Sequence, residues 1–290
     1  MHPSTARRLV DERYVVNFKV IVGMRMETLE IDGPAGPYII TAVVLGDDPV
    51  HAVVVLDANL LFGMAVDLVR LMQIPALVPS FAVVGVGYPT DDFDEVVRRR
   101  TTDFTPSAVS GWPGSGGSGA FRTILRERVV PFIESVTPTV KDVTLFGHSL
   151  GGMFAVTDWL AEDRLFDRYV MSSPSLWWDD HALLRFPVPV PDAPAYLAIG
   201  GEETDAGRRR EAAALPADAV WKPPPTHLDM VDDLLRFAAC LTATAERGAP
   251  TIDIIDGEFH ATVPPIVFTR GLRRLLRPFA PWTGVEHGQA

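Results

Sequence analysis

Apolar positions along this chain follow two rhythms. Near the start, β-branched residues gather into segments that read as strands: Tyr14–Val22, Arg25–Ile31 and Tyr38–Leu45, with Asp32-Gly33-Pro34 turning the chain between the last two. Then come short, almost unbroken apolar runs at Ala52–Leu56, Phe81–Val86, Val143–Phe146, Tyr169–Met171, Ala195–Ile199 and Ile252–Ile255. Unbroken apolarity over so few residues suits parallel strands covered on both faces. Helical spacing lies between them. Phe121, Ile124, Leu125, Phe132 and Ile133 mark one helix, with Ser118 as N-cap and a bend at Pro131. Met153, Phe154 and Leu160 mark a second, and Leu234–Ala245 and Ile266–Leu276 two more. Strands alternating with helices predict an α/β fold: a mostly parallel sheet with antiparallel N-terminal strands and helices on both faces.

Composition narrows the picture. Hydrophobic residues make up 47% of the 290, enough for a sizeable core. With no internal repeat and no long linker, one domain is expected over 1–290, with irregular loop or cap excursions near 90–118 and 200–227. The formal net charge of -11 argues against a nucleic-acid partner, which requires a cationic face. The one cysteine, Cys240, sits in an apolar helical pattern and reads as an inert buried thiol. No zinc-ligand spacing is present, so neither metal nor cofactor is expected. Arg7 and Arg8 lead into Leu9-Val10-Asp11-Glu12 rather than an apolar leader, and no run is long enough to span a membrane. The expected compartment is the cytoplasm, with no membrane partner.

Chemistry concentrates at Gly147-His148-Ser149-Leu150-Gly151. A strand runs directly into this G-x-S-x-G segment and a helix leaves it. That context turns a common pentapeptide into the nucleophile elbow of an α/β-hydrolase, with Ser149 lifted above the sheet edge. The serine hydroxyl needs a base. Of seven histidines, His260 fits, because it follows the last strand in the order Ser, acid, His. His148 adjoins the nucleophile, and its side chain is expected to diverge from that of Ser149. The acid belongs after Ala195–Ile199, where Glu202, Glu203 and Asp205 are all available. An oxyanion hole requires two amides: one from Leu150, the other from the loop Asp57-Ala58-Asn59-Leu60. Gly114 to Gly119 matches G-x-G-x-x-G, but no strand precedes it, so it reads as a loop bordering the site rather than a nucleotide cradle.

Beyond the elbow, Leu56-Asp57-Ala58-Asn59, Arg99 to Pro106, Ser173-Pro174-Ser175-Leu176-Trp177-Trp178 and Gly257-Glu258-Phe259-His260 resemble the esterase D-like branch of α/β-hydrolases. That branch includes enterobactin- and bacillibactin-type siderophore esterases, with feruloyl esterases and mycolyltransferases more distant. The resemblance covers about residues 25–280. It implies the Asn59 amide as second oxyanion donor, Glu203 as the acid, and one of Trp177 and Trp178 facing the cleft. The family usually has Gly where Ala58 stands, and often Arg where Thr102 stands. The expected function is hydrolysis of a small-molecule carboxylic ester, siderophore-like or aromatic, through an acyl-enzyme on Ser149. Acyl transfer by the same chemistry and non-catalytic ligand binding are the alternatives. Arg99 and Arg100 lie on a loop leaving the carboxyl edge of the sheet, where open α/β sheets bind ligands. With Trp177 they are expected to recognise an aromatic or anionic portion of the substrate.

Overall fold

Among the described residues the apolar runs assemble into one sheet of eight strands. In chain order the strands are β1 (Met24–Ile31), β2 (Tyr38–Leu45), β3 (His51–Val55), β4 (Phe81–Gly87), β5 (Asp142–His148), β6 (Arg168–Ser172), β7 (Val188–Pro189), β8 (Ala195–Gly200), β9 (Leu241–Thr242) and β10 (Thr251–Ile255). The sheet order is β1-β2-β4-β3-β5-β6-β8-β10, while β7 and β9 pair separately. Only β2 runs against its neighbours; every other pairing in the large sheet is parallel. The computed structural model describes residues 24–74, 77–78, 80–216, 228–242 and 250–276. The strand expected over Tyr14–Val22 lies outside these residues, as do 243–245 of the helix expected over Leu234–Ala245 and 217–227 of the second excursion.

The helices are α1 (Ala58–Gln73), α2 (Phe93–Phe104), α3 (Ser118–Ile124), α4 (Val130–Val136), α5 (Leu150–Leu160), α6 (Trp178–His181), α7 (Asp205–Ala214), α8 (Met230–Cys240) and α9 (Pro264–Leu276). They cover both faces of the sheet because successive strand residues point to opposite sides. Leu145, Met171 and Leu197 face a core closed by Phe104 of α2, Phe121 of α3, Phe154 of α5 and Phe237 of α8. Their neighbours Phe146, Val170 and Ala198 face the other core, closed by Val66 and Val69 of α1 and Val267 and Phe268 of α9. The rings meet edge to face: Phe121 with Phe104 at 5.4 Å and with Phe154 at 5.2 Å, and Phe146 with Phe268 at 5.0 Å between centroids. Such pairs add about 0.5–1.5 kcal/mol each beyond the area they bury. No helix among the described residues is long and apolar enough to cross a membrane.

Four local expectations are corrected. The excursion near 90–118 contains a well-formed helix, α2, capped by the Asp92 carboxylate, which accepts from the amides of Asp94 and Glu95. Its buried face holds Arg99, Thr101 and Asp103 beside Val96 and Phe104, so its burial leaves no apolar rhythm in the sequence. Those polar groups are partnered, the buried Arg99 Nε excepted. The Tyr38 and Tyr88 hydroxyls each donate to Asp103 at 2.9 Å, and the Arg99 guanidinium lies 4.4 Å from the Tyr88 ring centroid. In the second excursion α7 likewise buries a charged residue, Arg208. Finally, Ser118 is the first residue of α3 with Gly117 in the capping position, and a π-helical turn over Leu125–Val129 joins α3 to α4. Pro131 lacks an amide proton and its ring crowds the carbonyl of Glu127; the wider turn just ahead of it relieves that conflict. Cys240 is half-buried rather than fully enclosed.

Candidate active site

Strand β5 ends at His148, and α5 begins at Leu150. Ser149 between them adopts φ 59° and ψ -120°. Neighbouring backbone pins it there: its amide donates to the Ser172 carbonyl at 2.9 Å, and its carbonyl accepts from the Ser175 amide at 3.1 Å. The turn is tight enough to need glycine beside it. A Cβ on Gly147 would stand 2.1 Å from the Gly151 carbonyl oxygen, and one on Gly152 would stand 2.8 Å from that of Ser172. The Ser149 hydroxyl faces a cavity of about 740 Å³ that His148, Leu150, Arg100, Trp177 and His260 also line.

His260 stands on the turn after β10. Its Nδ1 is 2.5 Å from Glu203 Oε2, so the imidazole donates there and leaves Nε2 for the cavity. Glu203 is buried, with 1% of its surface exposed. Its second oxygen accepts from the Ser173 hydroxyl at 2.5 Å and the Gly200 amide at 3.0 Å. Burial opposes the charge on this carboxylate, but His260, Ser173 and the Gly200 amide together hold its pKa below the usual glutamate value. The other acids of this loop turn away: Glu202 pairs with Arg210, and Asp205 with Arg209 one turn along α7.

His148 does not diverge from the site. Its ring forms part of the cavity wall, with its centroid 4.4 Å from that of His260. Its Nδ1 meets the Ser172 hydroxyl at 3.1 Å rather than a carboxylate. Burial first, then the nearby His260 ring and the Arg100 guanidinium, push its pKa well below the usual histidine value, so the ring is neutral.

Leu150 opens α5 at the cavity floor. Asn59 lies in the first turn of α1, and its side chain is tied to the end of β4: it accepts from the Tyr88 amide at 2.9 Å and donates to the carbonyls of Tyr88 at 2.8 Å and Thr90 at 3.0 Å. The paired arginines part company. Arg100 reaches the cavity, engaged with Asp57 through Nε to Oδ1 at 2.8 Å and Nη2 to Oδ2 at 2.9 Å. Arg99 is 3% exposed and is not brought to the cavity; it donates to the Pro37 carbonyl at 2.6 Å beneath the rings of Tyr38 and Tyr88. Of the two tryptophans, Trp177 lines the cavity and Trp178 is buried, its Nε1 donating to Ser107 Oγ at 3.2 Å.

Sequence reasoning missed several groups. Trp112 lines the cavity and meets Trp177 at 5.7 Å between centroids. Ser172 at the end of β6, and Ser173 and Ser175 just past it, touch His148, Glu203 and, at 3.5 Å between hydroxyl oxygens, Ser149 respectively. The Ser-Pro-Ser segment marks their place, but nothing in it tells which hydroxyl meets which partner. Among the described residues no group of His, Cys, Asp and Glu is arranged to hold a metal ion.

Comparison with known proteins agrees with this geometry. Residues 48–220 match the Esterase family. A siderophore triacetylfusarinine C esterase from Aspergillus fumigatus is 26% identical over 238 residues, covering 78% of this chain and 82% of the relative. The ferri-bacillibactin esterase of Bacillus subtilis is 28% identical over 242 residues, covering 78% of each chain. Among solved structures, a siderophore hydrolase from Aspergillus nidulans, EstB, superposes with a TM-score of 0.69 at 23% identity, covering 87% of this chain and 94% of that one. With a serine elbow on an α/β-hydrolase sheet and a family match across more than half its length, this chain belongs to the Esterase family and is a serine-type carboxylic ester hydrolase.

Proposed function

We propose that Ser149, His260 and Glu203 act as a catalytic triad that cleaves esters of the siderophore-like or aromatic class. The observation that carries the reading is the 2.5 Å bond from His260 Nδ1 to the buried Glu203, in the wall of the cavity that Ser149 faces. Nδ1 bound to a carboxylate leaves Nε2 as the basic nitrogen. Nε2 takes the Ser149 proton as Oγ attacks the ester carbonyl, and the oxyanion so formed is met by the amides of Leu150 and Asn59. The imidazolium then returns the proton to the departing alcohol, leaving an acyl-serine. Water, deprotonated by the same nitrogen, attacks that acyl group and releases the acid. Glu203 orients the ring and stabilises its charged form throughout. The siderophore substrates in the names of the relatives supply the substrate class. A single domain working in the cytoplasm fits the continuous sheet and the lone cysteine.

The test is Ser149→Ala. The folded variant is expected to lose at least about 10³-fold in kcat on 4-nitrophenyl acetate. Turnover near the wild-type rate in that variant would overturn the assignment.

A further inference from the structure

The wall of the cavity above Ser149 is mostly carbon. Leu60, Phe93, Val97, Trp112, Trp177 and Leu228 all line it. The mouth of the cavity leaves large apolar side chains in water: Leu60 is 54% exposed, Phe93 39%, Val97 37% and Trp112 37%. They come from three separate places, the start of α1, one face of α2 and the loop before α3, yet they meet around one opening. Exposed apolar residues that converge on a cavity mark the place where a ligand completes their burial.

The charged groups in this wall each stand beside an opposite charge. Among the described lining residues they are Asp57, Arg100 and Arg208, with His148 and His260 as the titratable ones. Arg100 gives its Nε and Nη2 to Asp57, which is 2% exposed. Arg208 stands 3.8 Å from Glu203. Binding an anion through the Arg100 fork would draw it from the buried Asp57 carboxylate and leave that carboxylate unpaired, whereas Arg208, 8% exposed, is held against Glu203 and the Met230 sulfur with its Nε enclosed. Arg99, the other cation expected here from sequence, is buried beneath Tyr38 and Tyr88. The chain as a whole carries a formal charge of -11, which repels an approaching polyanion at long range.

We propose that the cavity takes an uncharged ester with a bulky apolar or aromatic portion, seated among Phe93, Trp112 and Trp177, and discriminates against esters bearing anionic groups on that portion. The proposal rests on Ser149 as the nucleophile and specifies which members of the siderophore-like and aromatic class reach it. A lipophilic acyl ester and an iron chelate without net charge share this chemistry; a polyanionic chelate does not.

Matched probes test it. 4-Nitrophenyl valerate and mono-4-nitrophenyl glutarate differ only in a terminal methyl against a carboxylate. After subtraction of the uncatalysed rate, kcat/KM is expected to be at least about tenfold higher for the valerate, and 4-nitrophenyl 3-phenylpropanoate to match or exceed it. Trp112→Ala should narrow the preference for the phenylpropanoate over the acetate ester. A comparison of a neutral and a polyanionic ferric chelate ester, followed by release of the hydrolysed acid, tells the two ligand sources apart: cleavage of the neutral chelate supports the chelate source, and its resistance alongside valerate turnover supports the acyl source. A glutarate ester cleaved as fast as the valerate, or a polyanionic chelate cleaved faster than the neutral one, would overturn the proposal. Labelling with diisopropyl fluorophosphate separates the two levels. Labelling at Ser149 with the charge preference reversed sinks this proposal alone, whereas absence of labelling sinks the serine assignment along with it.

Discussion

Arg100 grips Asp57 through two parallel hydrogen bonds at 2.8 and 2.9 Å, and Asp57 is the residue that immediately precedes α1. Asp57 adopts φ 55° and ψ 44°, and its carbonyl accepts from the amides of Leu60 and Leu61. The arginine fork therefore fixes the residue that leads into the first turn of α1, where Asn59 carries the amide proposed as an oxyanion donor. Arg100→Lys keeps a positive charge but loses the bidentate geometry. A fall in kcat of about tenfold or more is expected, with KM changed much less, as for a displaced oxyanion donor. Arg100→Met leaves a buried carboxylate alone and should cost about 3–5 kcal/mol in urea unfolding. If the lysine variant raised KM and spared kcat, Arg100 would be contacting substrate rather than positioning the loop.

The two histidines of the cavity wall should separate cleanly. His260→Ala is expected to lower kcat by about 10³-fold or more, because base and nucleophile act as a unit. His148→Ala removes a neutral ring held by Ser172 and should cost less than about tenfold. Steady-state kinetics on one neutral ester decides; a larger defect in His148→Ala would reassign the base.

Glu203 links the proposed triad to pH. Its folded pKa lies below the unfolded value of about 4.3, so the stability it contributes is present above that value and is lost as pH falls through the lower folded one. The stability gap between wild type and Glu203→Gln should therefore shrink as pH is lowered from 6 to 3 in urea titrations. At neutral pH the same variant should lose roughly 10³–10⁴-fold in kcat. Ser173→Ala, which removes one of several hydrogen bonds to the carboxylate, should lose far less. A gap that widened toward low pH would contradict the linkage.

Asp103 has the opposite sign. Burial, only partly offset by the Tyr38 and Tyr88 hydroxyls and Arg99, raises its pKa to about 6. Between about pH 4 and 6 the folded chain holds a proton there that the unfolded chain releases, so this residue's contribution falls as pH rises, by at most about 1.4 kcal/mol per pH unit. Asp103→Asn should gain stability relative to wild type across that window. Urea midpoints at pH 4, 5 and 6.5 measure it, and a constant difference would rule out the shift.

The sheet was readable in the sequence because its parallel strands are covered on both sides. Every residue of β4 is buried, so burial and apolarity coincide without interruption. That Ser149 and His260 meet at one cavity was readable because strand, turn and chain order constrain their places. Spacing alone left Glu202, Glu203 and Asp205 open as its acid, and only the family resemblance singled out Glu203, the one that stands 2.5 Å from His260. Arg99 and Arg100 show the same limit. One residue apart on α2, they point about 100° apart, one to the Tyr38 and Tyr88 rings and the other to Asp57. The buried face of α2 defeated periodicity because its burial is polar.

Ser149 keeps a Cβ at φ 59° and ψ -120°, a region that costs a non-glycine residue about 1–3 kcal/mol. Alanine at this position inherits the strain, whereas glycine escapes it. An inactive Ser149→Gly protein should accordingly melt at a higher temperature than the working enzyme, although it loses a side chain and gains no contact. Turnover and durability thus pull on one position in opposite directions. A lineage freed from the demand for ester cleavage would find glycine the sturdier choice, and the sharp turn would outlast the reaction it was shaped for.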